Sequence, residues 1–500
     1  MKIIALAGVI LALAAGSLLE AAEPTAPGLP RSTPESQGVS SAGLLAFVEA
    51  LDQQVDGMHG IVVVRHGQVV LEGWWQPYAA ETPHSLYSLS KSFTSTAVGL
   101  AISEGKLSLD DPILKFFPDD APSDPGKNLK LMRVSDLLRM STGHQAEPKV
   151  GATDTQPWTK TFLAQPVLSK PGSHFLYNTP ATYMLSAIVQ KVTGQTVLDY
   201  LRPRIFDPLG IKDPTWGTSP QGISQGGFGL SIRTEDIAKF GQLYLRKGTW
   251  NGKQLVPTAW VEAATARQTS NGSAPDSDWD QGYGYQFWRS RHNAYRGDGA
   301  FGQYCVVIPE QDTVVAITSG VKDMQALINV VWDHLLPALR VVPIPADSSA
   351  EAQLKAKLAG LTIPPVAGKT ATDLAKKVAG KRYAFPANPT KIEAVTWQPA
   401  PSGEANALIL RLDGKDQLML CDTQGWHKTR AALGPLAEQP ASASAAWTSD
   451  DTLTTRIAFV ETPFVATLKL KFTESEVTID TESNVGFGAT KQPSLVGKTE

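Results

Sequence analysis

The sequence predicts an α+β fold, an antiparallel sheet flanked by helices, followed by a small, separate antiparallel β domain. Three observations carry this. β-branched runs stand at residues 61–71 and again at 304–318, on either side of a largely helical stretch, so the two ends of one unit must meet to complete a sheet. Beyond Arg340 the texture changes to short alternating runs between polar turns. At 500 residues the chain also exceeds one compact core.

The elements follow in order. Residues 1–21 read as a cleavable secretory leader: Lys2 precedes an apolar run from Ile3 to Ala15, and small residues continue to Ala21. That run is too short for stable membrane insertion, so an exported, periplasmic or secreted product is expected. Residues 22–340 form the first domain. It opens with a Pro-rich arm, a helix from Ser41 to about Asp52 and a hairpin turning at His66-Gly67. A helix opens at Ser88, with Phe93, Ala97, Leu100 and Ala101 at i, i+4, i+7, i+8 spacing and Gly105 as its stop. Further helices are expected at Val134–Met140, Ala181–Thr193, Thr234–Leu245 and Pro257–Ala266. Strands are expected at Tyr283–Arg289, Tyr304–Ile308 and Thr313–Thr318, and a long helix at Met324–Arg340 closes the unit. Residues 341–375, rich in Pro, Ala and Lys, read as a linker. Residues 376–500 read as a sandwich or barrel, with alternating runs such as Ala407–Leu412 and Ala466–Phe472.

Composition excludes some functions. The chain is 42% hydrophobic and 19% charged with a formal net charge of −3, and no basic stripe marks a nucleic-acid partner. Cys305 and Cys421 fall in different domains, so each is expected as a small buried hydrophobe rather than half of a disulfide. The histidines lack metal spacing of the H-E-x-x-H kind, and no metal or other cofactor is predicted. Nothing in the sequence sets the oligomeric state.

The chemistry concentrates in Tyr87-Ser88-Leu89-Ser90-Lys91-Ser92-Phe93-Thr94. Residues three apart on a helix share a face, with Cβ atoms about 5–6 Å apart, so a Ser88 hydroxyl and a Lys91 amine can hydrogen-bond. Lys91 is the one charged residue between Glu81 and Glu104. A lone charge among small and aromatic neighbours is desolvated, and desolvation lowers a lysine pKa until the amine serves as a general base. The helix N-terminus favours negative charge developing on oxygen.

Two later segments offer partners for a serine nucleophile. In Pro171–Thr179 a Gly-containing turn leads to a helix, with Tyr177 beside polar residues. In Gly297–Pro309 a Gly-rich turn feeds a strand. It matches G-x-G-x-x-G, but a dinucleotide site needs a helix after the glycines, so that reading is rejected; glycines here let a backbone approach a ligand closely.

Ser88-x-x-Lys91, then Tyr177, then Gly302, in this order, resemble the penicillin-recognising serine hydrolases: class C β-lactamases, D-alanyl-D-alanine carboxypeptidases and related esterases and amide hydrolases. The stretches GKLSLDDPI, LLRMSTGH, PLGI, AKFGQLYLRKG and GYGYQFW are similar to family segments. The resemblance covers about Pro30 to Arg340 and implies a β-lactamase-like fold. It implies Ser88 as the acylated nucleophile, Lys91 as its base and Tyr177 as a proton shuttle, with the backbone N–H groups of Ser88 and Gln303 as the oxyanion hole. Thr179, Ala300, Phe301 and Gly302 are then the substrate-binding positions. Thr179 replaces the Asn usual in Tyr-x-Asn, and Ala300 stands where the family carries a Lys or His that grips a substrate carboxylate. The expectation is an exported hydrolase of a small-molecule or peptide ester or amide. A D-amino-acid peptidase or a β-lactamase, and an inactive homologue that binds peptidoglycan or a partner protein, are the alternatives.

Overall fold

The computed structural model describes residues 28–151, 155–399 and 405–500; the expected leader lies outside them. The first domain is built from helix α1 (Ser41–Gln54), strands β1 (Met58–Arg65) and β2 (Gln68–Trp74), and helices α2 (Ser90–Ser103), α3 (Thr179–Thr193) and α4 (Thr234–Leu245). Strands β3 (Trp288–Arg289), β4 (Tyr295–Gly299), β5 (Gln303–Ile308) and β6 (Thr313–Ser319) and helix α5 (Met324–Val330) follow. The six strands form one antiparallel sheet in the order β2-β1-β6-β5-β4-β3. As the two ends of the β-branched pattern require, β1 pairs with β6 from Met58↔Ser319 to Arg65↔Thr313.

Both faces of this sheet are covered, which explains why its strands read as continuous apolar runs rather than alternating ones. On β1, Val62 and Val64 enter the core shared with α2, α3 and α4, while Ile61 and Val63 enter the core beneath α1 and α5. On β6, Val314 and Ala316 divide from Val315 and Ile317 in the same way. The expected strand Tyr283–Arg289 contracts to β3. The segment Gly297–Gly299, read from sequence as part of a turn, is the end of β4, paired with β5 from Gln303↔Gly299 to Val307↔Tyr295. Two glycines and two charges in Tyr295-Arg296-Gly297-Asp298-Gly299 hide its strand character, and tertiary pairing overrides weak propensity. The expected helix Met324–Arg340 is regular only to Val330, then widens and tightens into short turns that end at Ala338, after Pro337.

Residues 341–375 carry helix α6 (Ser348–Ala359), whose Leu354, with Leu361 and Ile363 after it, enters the core beneath α1. Among the described residues the second domain has ten strands: β7 (Arg382–Ala384), β8 (Ile392–Gln398), β9 (Asn406–Leu412), β10 (Lys415–Cys421), β11 (His427–Leu433), β12 (Leu436–Trp447), β13 (Thr452–Ala458), β14 (Val465–Phe472), β15 (Glu476–Ser483) and β16 (Leu495–Thr499). They form a single antiparallel sheet, β10-β9-β8-β7-β16-β15-β14-β13-β12-β11. It curls into a barrel whose end strands meet through side chains: the Leu420 N–H donates to Thr429 Oγ1 at 3.2 Å and the Ala432 N–H to Gln417 Oε1 at 3.0 Å. Leu468, Leu470 and Phe472 of β14 point into the barrel core while Lys469 and Lys471 face water, the period-2 pattern of a half-buried strand. Cys305 and Cys421 are both buried free thiols, one in each domain's core.

Helix α2 is held against α4 by Phe93, fully buried and stacked on Phe240 with ring centroids 3.8 Å apart. Removing that ring leaves a cavity that neighbouring helices cannot fill. We expect Phe93→Ala to cost about 3–5 kcal/mol in chemical denaturation, and Phe93→Leu clearly less.

Candidate active site

Ser88 lies in a single tight turn, Tyr87–Leu89, that runs into α2. Tyr87 has φ +48°, a left-handed conformation costly for a residue with a side chain, and this strain turns the next residue out at the helix start. Every residue from Ser90 to Ala101 is buried, so Lys91 is 2% exposed inside the protein, as its isolation in the sequence predicts. Its Nζ donates to Ser88 Oγ at 3.0 Å, to the Gly227 carbonyl at 2.8 Å and to Thr179 Oγ1 at 3.4 Å. Burial lowers the Lys91 pKa to about 7, against the opposing pull of the Glu147 and Asp298 carboxylates. Near neutral pH a large fraction of this amine is uncharged and able to take the Ser88 proton.

Tyr177 stands in the extended segment before α3. Asn178 caps that helix by accepting the Ala181 N–H at 3.0 Å, and its Nδ2 donates to Thr142 Oγ1 at 3.1 Å. The ring of Tyr177 stacks on Trp288 of β3 with centroids 5.5 Å apart and 17° between planes, and Lys91 Nζ is 4.9 Å from its centroid. Burial and the nearby Asp298 push the Tyr177 phenol above its ordinary range, while a hydrogen bond with Ser88 pulls the other way. Such a phenol keeps its proton near neutral pH and can donate it in a hydrogen bond, whereas the uncharged amine is the group able to accept one. Thr179 opens α3 with its N–H on Glu147 Oε1 at 2.6 Å. Both residues, with Trp158, Tyr183, Gln225 and Phe228, line a cleft of about 560 Å³.

The third wall is the end of β4. A Cβ on Gly299 would sit 2.0 Å from the Leu86 carbonyl oxygen, so only glycine lets this strand lie against the turn that carries Ser88. Ala300, Phe301 and Gly302 form the turn from β4 into β5; the Gly302 N–H donates to the Gly299 carbonyl at 3.2 Å. Gln303 is fully buried at the start of β5, and its Nε2 donates to the carbonyls of Ala300 at 3.1 Å and Ser319 at 2.7 Å.

Several members of this constellation escape sequence reasoning. Gly227, which supplies the carbonyl on Lys91, lies in Gln225-Gly226-Gly227-Phe228-Gly229, a glycine cluster whose density is its one sequence cue. Asp298, 6% exposed, accepts from Arg296 Nε at 3.0 Å; burial pushes its carboxyl up and the Arg296 guanidinium pulls it back. Arg296 is fully buried and also donates to Ser290 Oγ at 2.6 Å and the Asp278 carbonyl at 2.7 Å. His144, in the LLRMSTGH stretch singled out from the sequence, is not one of these: it is buried on Thr142 Oγ1 at 2.8 Å and edge-on to Phe162, a packed histidine whose pKa burial lowers to about 4.

Comparisons with known proteins identify the family and the fold. The family model described as Beta-lactamase matches residues 45–326, more than half of the chain. A putative D-alanyl-D-alanine carboxypeptidase of Escherichia coli (strain K12) is 30% identical over 40% of this chain and 54% of its own length, so the chain spans about half of that relative. The 6-aminohexanoate-dimer hydrolase of Paenarthrobacter ureafaciens is 25% identical over 58% of this chain and 80% of its own. Among solved structures, a putative 6-aminohexanoate-dimer hydrolase from Bacillus anthracis superposes with a TM-score of 0.51 at 21% identity, covering 63% of this chain and 87% of that one. The family match and the shared fold, together with a serine held 3.0 Å from a buried lysine, place the chain in the β-lactamase family of serine hydrolases.

Proposed function

We propose that this chain is an exported hydrolase of ester or amide bonds that works through an acyl-enzyme on Ser88. The observation that carries the reading is the desolvated Lys91 amine 3.0 Å from Ser88 Oγ with the Tyr177 phenol alongside. Ser88 Oγ attacks the substrate carbonyl carbon as its proton passes to Lys91 Nζ. The negative charge that develops on the carbonyl oxygen is received by the Ser88 N–H and an N–H of the Ala300–Gln303 turn, with Gln303 the residue that the family resemblance assigns. The carbon–leaving-group bond breaks as the leaving group takes a proton relayed from Lys91 through Tyr177. Water, losing its proton along the same route, then attacks the ester on Ser88 and releases the acid. Export rests on the apolar run after Lys2.

The substrate reading follows from what flanks the serine. The turn position expected to carry a cation is Ala300, and the buried charge nearby on β4 is Asp298, already paired with Arg296. A substrate carboxylate therefore loses a charge-assisted contact worth about 1.5–3 kcal/mol, which disfavours β-lactams and C-terminal peptides. An ester needs less help with its leaving group. The names of the carboxypeptidase and amide-hydrolase relatives support testing D-peptides and linear amides in the same screen.

A fluorophosphonate probe is expected to label the protein on Ser88 and to fail on Ser88→Ala, as read by mass mapping. Labelling that persists in the variant, or none in the parent, favours a binding homologue. Lys91→Ala should lower kcat/KM on the order of 10²–10⁴-fold with the fold intact. In the parent, kcat/KM should rise with pH and level off above about 7 as Lys91 loses its proton; a profile flat from pH 5 to 9 removes Lys91 as the base. For substrate class, p-nitrophenyl butyrate should be cleaved with a kcat/KM well above that for a chromogenic cephalosporin. Tyr177→Phe should slow amides more than activated esters, because a p-nitrophenolate leaves without a proton.

A further inference from the structure

Two of the aromatic rings nearest the nucleophile's turn belong to the barrel. Phe301, just after β4, meets Tyr87 edge-on at 5.7 Å between centroids, Phe464 at 5.8 Å and Phe487 at 4.8 Å. Tyr87 in turn lies 6.4 Å from Phe464 and 5.6 Å from Phe487. Tyr87 immediately precedes Ser88, and Phe464 and Phe487 come from the loops that lead into β14 and out of β15. Phe487 is 77% exposed although its ring touches this cluster. A large ring held in an aromatic cluster next to the Ser88 turn with most of its surface in water is stabilised by whatever apolar group covers it.

The rings are fixed in place rather than carried on a loose appendage. The Ser85 N–H, three residues before the nucleophile, donates to the Glu461 carbonyl at 2.9 Å. Asn484 Nδ2 donates to the carbonyls of Gly320 at 3.0 Å and Pro463 at 2.9 Å, while its Oδ1 accepts the Val465 N–H at 2.8 Å. One side chain thus ties both barrel loops to the end of β6. A Cβ on Gly320 would stand 2.2 Å from the Pro463 carbonyl oxygen, so the two backbones approach as closely as glycine allows.

We propose that the barrel completes the substrate cleft: Phe464 and Phe487, with Tyr87 and Phe301, form an aromatic subsite for an apolar group of the ester or amide substrate. The assignment rests on Ser88 being the nucleophile, since Tyr87 places the subsite beside it. It gives the second domain a role in selectivity and predicts preference for substrates bearing an aryl or medium-length alkyl group. The apolar group belongs to either the acyl or the leaving half, and two ester series separate these sources.

The first series runs from p-nitrophenyl acetate to octanoate; the second runs from ethyl acetate to 4-phenylbutyl acetate, followed by acid release. In the parent protein one series should show kcat/KM rising with apolar size. In Phe487→Ala, a change at an exposed residue that leaves both cores intact, the ratio of long to short substrate should fall on the order of 10-fold, and Phe487→Leu should keep most of it. Ratios unchanged in both series overturn the subsite. A turnover-independent arm titrates N-ethyl-4-phenylbutanamide and N-(4-phenylbutyl)acetamide, which carry the aryl group on the acyl and the leaving half, into Ser88→Ala by calorimetry, where binding of one is expected and should weaken about 10-fold in Ser88→Ala/Phe487→Ala. Binding of neither, or equal binding by the two proteins, also overturns it. Absence of any ester cleavage by the parent counts against the hydrolase reading instead, and the titration still decides the subsite.

Discussion

The desolvation of Lys91 is the constraint on which the rest of this site depends. An amine whose pKa falls from 10.5 to about 7 on burial holds a folding cost on the order of 5 kcal/mol at and below neutral pH. The sign is definite: the unfolded lysine stays protonated up to its ordinary pKa, the folded one only to about 7, so the cost recedes as pH rises between them. The surroundings answer that cost in the geometry of the site. Ser88, Thr179 and the Gly227 carbonyl all accept from Nζ, and the Glu147 and Asp298 carboxylates limit how far the pKa falls. The packing that desolvates the amine comes from α2, buried from Ser90 to Ala101 between the sheet and the other helices.

The same burial separates the roles of the two titratable groups on Ser88. Low polarity around Lys91 and Tyr177 disfavours the charged form of each, which leaves more of the amine uncharged near neutral pH and makes the phenol a reluctant acid. One environment thus shifts the two groups in opposite directions, as the proposed base and relay roles require. Trp288 contributes by stacking on the phenol and holding its orientation.

The strained turn at Tyr87 connects this chemistry to the barrel. Its left-handed backbone sets the direction of Ser88, and its side chain is the surface on which Phe301, Phe464 and Phe487 converge. Because the main chain just before that turn is hydrogen-bonded to the barrel at Glu461, the second domain braces the segment that carries Ser88, and in the proposed subsite it also forms a wall. The domain read from sequence as 376–500 thus touches the segment that carries Ser88.

What the sequence by itself determined is local. A serine three residues before an isolated lysine must share a helix face with it, and the absence of other charge from residue 82 to 103 announces that the lysine is buried. The continuous β-branched runs of β1 and β6 foretell strands covered on both faces, because alternation disappears when neither face meets water. Tertiary structure decided the rest. Strand β4 is written in glycine and charge, and it becomes a strand only because β5 and the Ser88 turn leave it that path. Asp298, Gly227 and Glu147 converge on Lys91 from three separate parts of the chain, and no periodicity links them. The contact of Phe487 with Tyr87 spans nearly the whole protein; it follows from how Asn484 seats the barrel against Gly320. Propensity and spacing act over a few residues, whereas a site is a juxtaposition in space that only the packed cores define.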